Sequence, residues 1–364
     1  MSKKFIFLLI YIVMKIKVKV KDGLYEEDDF LKDCPNYRFI PLVLPAAKRV
    51  IAIGDIHGDI DLAKKSFRLA GLIDDKNNWI GRDTIVVQVG DQIDSCRSHG
   101  SYDCRNTRQP GDSADDMTVL EFFNEMHKQA SNTGGAVYSL LGNHELMNSY
   151  GRFDYVSFDN LHNFKYKQYQ GEEGRKQAFQ PGGPVASMMA CTRPSILIIG
   201  SSLFVHAGIL PVLAQRLDHL NLDDHTKLKY LNSIVRKWLL NKLSEEDLSN
   251  KDLFLNTDDV SPFWTRVYGA IPENEDLSSK SCSDSVKNVI EVLKLGQIVV
   301  GHTPQLSSRR NGINGTCYVN KQNKLYRIDG GFSKAFKIFG EKKFIQVLEI
   351  IDDKVFNIIT GDQT

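Results

Sequence analysis

From residue 49 onward, short apolar runs alternate with amphipathic stretches. Residues 49–54 form an apolar run that ends in a turn residue, the pattern of a buried strand. Residues 59–70 space their apolar side chains as a helix does and stop at Gly71, and residues 84–90 are a second, β-branched run. Residues 117–130 put Val119, Leu120 and Phe123 on one helical face, and residues 136–141 follow as a third strand. That succession of strand, helix, strand, helix, strand predicts a mainly parallel sheet covered by helices. Further strands are predicted at residues 195–200, 203–206, 297–301, 325–329, 344–350 and 355–360, the last two joined by a short polar turn as a hairpin. Residues 228–243 set Leu231, Val235 and Trp238 at helical spacing, which reads as a packed helix rather than a binding face. The chain carries no internal repeat, low-complexity tract or Pro-rich linker, so residues 46–362 are read as one domain.

The chemistry lies at the ends of these strands. Gly54-Asp55-Ile56-His57-Gly58 closes the first, Gly90-Asp91-Gln92-Ile93-Asp94 the second and Gly142-Asn143-His144-Glu145 the third. Two later strands end in His206-Ala207-Gly208 and Gly301-His302-Thr303. One Gly-Asp turn is ordinary, and one histidine is usually just a hydrogen-bonded polar residue. Five such turns at the carboxyl ends of strands, where open α/β sheets bind ligands, indicate a metal site. Oxygen and imidazole donors without thiolate suit Mn, Fe or Zn, and a carboxylate can bridge two ions. Phosphate monoester hydrolysis needs such help, because the dianion repels hydroxide and the uncatalysed reaction is among the slowest known. Two ions about 3.5–4 Å apart bind phosphate oxygens and lower the pKa of a water held in line for attack. The leaving oxygen then needs a proton, for which His144 is the donor this pattern offers, with Asp94 to orient it.

Composition narrows the substrate more than the fold. With 42% apolar and 25% charged residues the 364-residue chain reads as globular, and a net charge of +1 exerts no pull on a polyanion. No nucleic-acid partner is therefore expected. The six cysteines form no C-x-x-C pair, which excludes the usual structural zinc site, and free thiols are the expectation for an intracellular chain. Cys96 and Cys104 are near enough in sequence to be either bonded or free. Behind Lys3 and Lys4, an apolar run from Phe5 to Met14 resembles the start of a signal peptide, but it is too short to span a bilayer and no small-x-small cleavage site follows. Residues 1–45 are set aside as an N-terminal extension of unknown role. A cytoplasmic location without stable membrane insertion is expected, with a secretory or membrane-associated one as the alternative.

The motif set GDxHG, GDxxD, GNHE, HAG and GHT resembles the calcineurin-like metallophosphoesterases. Within them the chain is most similar to the Shewanella-like branch of the phosphoprotein phosphatases, over roughly residues 46–360, with HAG followed by Ile209 and GHT by Pro304. The resemblance implies a four-layer αββα sandwich, central mixed β-sheets flanked by helices. It implies hydrolysis of phosphorylated Ser, Thr or Tyr with two divalent ions, Mn2+ first, Fe or Zn as alternatives. Carried over by motif, Asp55, His57 and Asp91 match the ligands of one metal, and Asp91 is the bridge. Asn143, His206 and His302 match those of the other, and Asn143 also faces the substrate phosphate. His144 matches the general acid and Asp94 its carboxylate partner, while Arg266 resembles an arginine that clamps phosphate. Asp329 is read as structural. One departure stands out: the family reads GDxxDRG, whereas Ser95-Cys96-Arg97 follows Asp94, so Arg97 is the candidate replacement from two positions on. The segment after Cys96, to about Asp112, reads as a loop at the mouth of the site, with His99 solvated. The substrate is expected to be a phosphorylated protein or a small phosphate ester. A diadenosine-tetraphosphatase-like or other phosphoesterase with a small-molecule or nucleotide substrate, and a metal-binding regulator with weak turnover, are the alternatives. The oligomeric state stays open.

Overall fold

The structure, a computed structural model, describes residues 25–100, 103–109, 112–306, 312–339 and 344–363. Helix α1 (Glu27–Asp33) and strand β1 (Val43–Leu44) precede the predicted unit of β2 (Arg49–Ile53), α2 (Ile60–Leu69), β3 (Ile85–Gln88), α3 (Asp116–Ser131) and β4 (Ala136–Ser139). As expected from the alternation, β2, β3 and β4 pair in parallel, in register Val50–Ile85 and Ile85–Ala136. Asp59 starts α2 by accepting the Leu62 N–H, and the chain turns at Gly71 as read.

The sheet does not stay parallel. The hairpin β12 (Phe344–Ile351) and β13 (Val355–Gln363) extends it on the other side, β12 running antiparallel to β2, to give the order β13-β12-β2-β3-β4. A second mixed sheet has the order β1-β7-β8-β9-β11-β10, built from β7 (Ile196–Ile199), β8 (Ser202–Val205), β9 (Gln297–Val300), β10 (Asn314–Val319) and β11 (Gln322–Arg327). A two-strand ribbon, β5 (Lys165–Tyr166) with β6 (Tyr169–Gln170), lies apart from both. Leu197, Ile199, Phe204 and Val299 share one core with β2 and β3. Their alternate neighbours Ile196, Ile198, Leu203 and Val300 pack with helices α4 (Asn143–Ser149), α5 (Gly171–Phe179), α6 (Pro184–Thr192) and α7 (Asp224–Leu239). Because both faces are covered, both sets are apolar, which is why these strands read as runs rather than alternations. The layers are helix, sheet, sheet, helix, as the family resemblance implies.

Three findings correct or complete the sequence reading. All six cysteines are paired, Cys34–Cys191, Cys96–Cys104 and Cys282–Cys317, so the free-thiol expectation fails. Separations of 157 and 35 residues made two of these pairs invisible before folding brought them together. Strand β10 went unread because its Asn314-Gly315 start resembles a turn. Part of the segment set aside as an extension packs on the fold: Phe30 is buried against Phe39, Arg236 lies over both rings, and β1 pairs with β7. The apolar run 5–14 lies outside the described residues. Among the described residues no helix is long and apolar enough to cross a membrane.

Candidate metal centre

Each ligand candidate sits just beyond a strand end, on the edge where the two sheets meet. Asp55 follows β2, Asp91 follows β3, Asn143 opens α4 after β4, His206 follows β8 and His302 follows β9. The approach is close enough to demand glycine. A Cβ on Gly142 would lie 2.2 Å from Asp91 Oδ1, and one on Gly301 would lie 2.3 Å from Asp55 Oδ1. His57, Asp91, Asp94 and His302 all adopt left-handed backbone conformations, with φ of 47°, 55°, 73° and 67°. Non-glycine residues rarely do so, and the surrounding hydrogen bonds hold them there. The Ile56 and His57 N–H groups both donate to Asp91 O at 2.9 Å. Glu145 locks the second turn to the third by accepting from the N–H groups of Asp91, Gln92 and Gly142 at 2.9, 2.8 and 2.7 Å.

The donor set fits divalent cations. A carbonyl oxygen only accepts, so His206 Nδ1, 2.8 Å from Val89 O, and His302 Nε2, 3.1 Å from Trp264 O, carry the protons. The remaining nitrogens, His206 Nε2 and His302 Nδ1, each face Asn143 Oδ1 at 2.9 Å, and Asp91 Oδ2 lies 3.3 Å from His206 Nε2. Lone pairs thus converge without a proton between them, an arrangement that a cation satisfies. On the other side of Asp91, His57 Nε2 is 3.9 Å from both Asp55 Oδ2 and Asp91 Oδ2. His57, Asp91 and His144 form one compact group of ligand atoms, and Asp91, His206 and His302 form another, with Asp91 common to both. His144 enters the first group by proximity, its Nε2 3.8 Å from Asp91 Oδ2, while its Nδ1 is engaged by Asp94.

Electrostatics point the same way. Burial opposes ionisation of Asp91, yet the imidazoles of His206, His144 and His57 carry its pKa well below the carboxylate range. Burial together with the charges of Asp329 and Asp91 pushes Asp55 well above that range. Asp329 Oδ2 is buried without a hydrogen-bond partner. Burial holds His57 and His302 neutral, the form that ligates, while Asp91 raises His206 against the cost of burial. Asp55 and Asp329 thus stand as buried carboxylates whose ionisation is opposed by burial and by neighbouring negative charge, a cost that a cation offsets.

The site opens to a cavity of about 510 Å³. Arg97 reaches it from the Cys96–Cys104 loop. Its Nη1 donates to Asp94 O and Cys96 O at 3.0 and 2.7 Å, its Nη2 lies 2.9 Å from His57 Nε2, and its plane lies over Tyr155 and Phe336. Ser95, in the family's arginine position, is buried against Gly58. Arg266 also lines the cavity, close enough to His302 to help depress its pKa, after burial and the neighbouring His206. The structure therefore brings together every residue singled out from sequence. It adds Arg152, Tyr155 and Trp264, which stand on loops or turns, and Phe336, in a short 3-10 helix, where spacing carries no signal.

His144 Nδ1 lies 2.8 Å from Asp94 Oδ2. Behind that pair stand Asn148, one helical turn beyond His144, and Arg175 of α5, neither identified from sequence. Asn148 was findable, since position i+4 on a helix shares the face of His144.

A family model described as calcineurin-like phosphoesterase matches residues 48–306. Uncharacterized protein R398 of Acanthamoeba polyphaga mimivirus is 58% identical over 247 residues, 66% of this chain and 98% of that protein. Shewanella-like protein phosphatase 2 of Arabidopsis thaliana is 26% identical over 353 residues, 86% of this chain and 78% of that protein. Among solved structures, the cold-active protein-tyrosine phosphatase of a psychrophilic Shewanella species superposes with a TM-score of 0.55 at 22% identity, over 88% of this chain and 83% of that one, which shows a shared fold.

Proposed function

The chain belongs to the calcineurin-like phosphoesterase family and is a metal-dependent phosphatase, and from that premise we propose that it dephosphorylates serine, threonine or tyrosine side chains of proteins. The observation that carries this reading is the pair of donor groups sharing Asp91, with the His144–Asp94 pair beside them at the base of an open cavity. The names of relatives such as the Arabidopsis protein phosphatase support a phosphoprotein over a dinucleotide. We assign Asp55, His57 and Asp91 to one divalent ion and Asp91, Asn143, His206 and His302 to a second, with Mn2+ as the working ion. When bound, the ions supply charge neutralisation and a water of lowered pKa. Arg97 stands beside His57 and Arg266 beside His302, so the two guanidinium groups flank the place where a phosphoryl group would lie, Arg97 standing in for the arginine replaced by Ser95. As the P–O ester bond breaks, its electron pair passes to the leaving oxygen, which takes the proton from His144 Nε2. Water's OH stays on phosphorus, and its other proton restores His144. Catalysis is assigned to one domain spanning residues 46–362. Three disulfides favour maturation in an oxidising compartment over the cytoplasm.

The test is turnover by metal-stripped protein after addition of Mn, Fe, Zn or Mg, with p-nitrophenyl phosphate, phosphopeptides and diadenosine tetraphosphate as substrates. Metal-dependent turnover of phosphopeptides that falls about 100- to 10,000-fold in His144→Asn, at unchanged metal content, is the expected result. Preference for the dinucleotide would replace the protein-phosphatase reading.

A further inference from the structure

Arg175, which the proposed chemistry does not use, is a fully buried guanidinium directly behind the proton donor. It stands on α5 with its face toward the rings of Phe179, Phe164 and Phe153, at 4.7, 5.7 and 6.0 Å. Its edges are all engaged. Nε donates to Asn148 Oδ1 at 2.7 Å, Nη2 to Asp116 Oδ2 at 2.7 Å and to Asp94 Oδ1 at 3.5 Å, and Nη1 to Asn160 O at 3.4 Å. Asn148 in turn donates to Asp94 Oδ1 at 2.9 Å and to His144 O at 2.9 Å, and the Asp94 N–H donates to Asp116 Oδ1 at 3.1 Å. Asp94 Oδ2 thus serves His144 and also accepts from Asn148 at 3.1 Å, while Oδ1 is held by Arg175 and Asn148. Burying a guanidinium is costly, and an aromatic box with two carboxylates is an expensive way to fill a core that leucines would fill.

We propose that Arg175 is a positioning residue for proton donation: through Asn148, Asp116 and Asp94 it fixes the rotamer of Asp94, and with it the orientation in which His144 Nε2 faces the leaving oxygen. The inference rests on the reading of His144 as the acid. Asp94 left in place but free to turn keeps its charge and loses its aim, and misplacement of about 1 Å at a reacting group costs on the order of 100-fold. The loss is selective. A nitrophenolate departs without a proton, whereas the alkoxide of serine needs one, so positioning of the acid shows in the dependence on leaving group.

The experiment uses manganese-loaded full-length protein and compares kcat and KM for a phosphoserine peptide and for p-nitrophenyl phosphate. In Arg175→Gln, kcat for the peptide is expected to fall about 100-fold and that for the aryl ester less than about 5-fold, with KM and bound metal unchanged. Arg175→Lys keeps a cation in the aromatic box while reaching fewer partners. It is expected to show the same selectivity at about 10-fold, and it carries the test if the glutamine variant does not fold. Equal losses on both substrates, or none, in the folded variant would overturn the inference. His144→Asn separates the two levels: leaving-group selectivity in His144→Asn without it at Arg175 overturns this inference alone, and its absence in both overturns the acid assignment as well.

Discussion

Asp91 shows how much a single residue can be asked to do. It bends the chain at φ 55°, accepts two N–H groups from the first turn through its carbonyl, receives the His144 N–H on Oδ1 and turns Oδ2 toward His57, His144 and His206. Replacing Asp91 by Asn removes the charge common to both donor groups while retaining the acceptor for His144 N–H. With the two ions proposed for the wild-type chain, metal content measured on purified protein is expected to fall to fewer than one per chain, and kcat/KM by more than about 100-fold, the upper range for loss of mere outer partners of a ligand. Retention of both ions would remove Asp91 from its bridging role. At this scale the residue types were legible in sequence, because Asp, Asn and His after strands are few and their chemistry is restrictive. Arg175 was not, since an arginine on a polar helix reads as solvated until the fold buries it.

The elements act by where they end. β2, β3, β8 and β9 deliver their turns to one edge because the two sheets pack face to face, and glycine lets neighbouring turns touch. Gly142→Ala would place a methyl 2.2 Å from the Asp91 carboxylate. The same methyl would lie 2.4 Å from the Asp91 backbone N, so the two turns, both hydrogen-bonded to Glu145, must shift along with the carboxylate. The variant is expected to fold but to lose about 100-fold in kcat, a displacement effect, with weaker metal retention on dialysis. Wild-type turnover in that variant would show that the turn is more yielding than its contacts imply. Periodicity located the strands of both sheets except β1 and β10, and it placed α2, α3 and α7 to within a few residues, because buried strands and amphipathic helices leave simple repeats. It did not reveal that β12 runs antiparallel beside β2, about 300 residues away in the chain, since pairing partners leave no local trace.

Across the whole molecule, covalent links tie segments that are remote in sequence. Cys34 joins α1 to Cys191 at the end of α6, and neither cysteine lines the site cavity. Cys34→Ser is expected to cost about 2–4 kcal/mol, which for a chain of this size lowers Tm by roughly 5–10 °C, with kcat unchanged. An unaltered melting temperature would show that packing of Phe30 and Arg236 alone secures the segment. By itself, the sequence determined most of the strands, the helices α2, α3 and α7 and the five glycine-flanked turns that carry the candidate ligands, because each is written in residues close together along the chain, whereas His144 and Asp94, 50 residues apart, were paired through the motif set. Tertiary structure alone decided three matters: the cysteine partners, the approach of Arg97 to His57 beside a buried Ser95, and the burial of Arg175 behind Asp94. Each joins side chains whose meeting depends on how layers stack and loops close, and burial, which turns an ordinary arginine or carboxylate into a directing charge, exists only once the chain has folded.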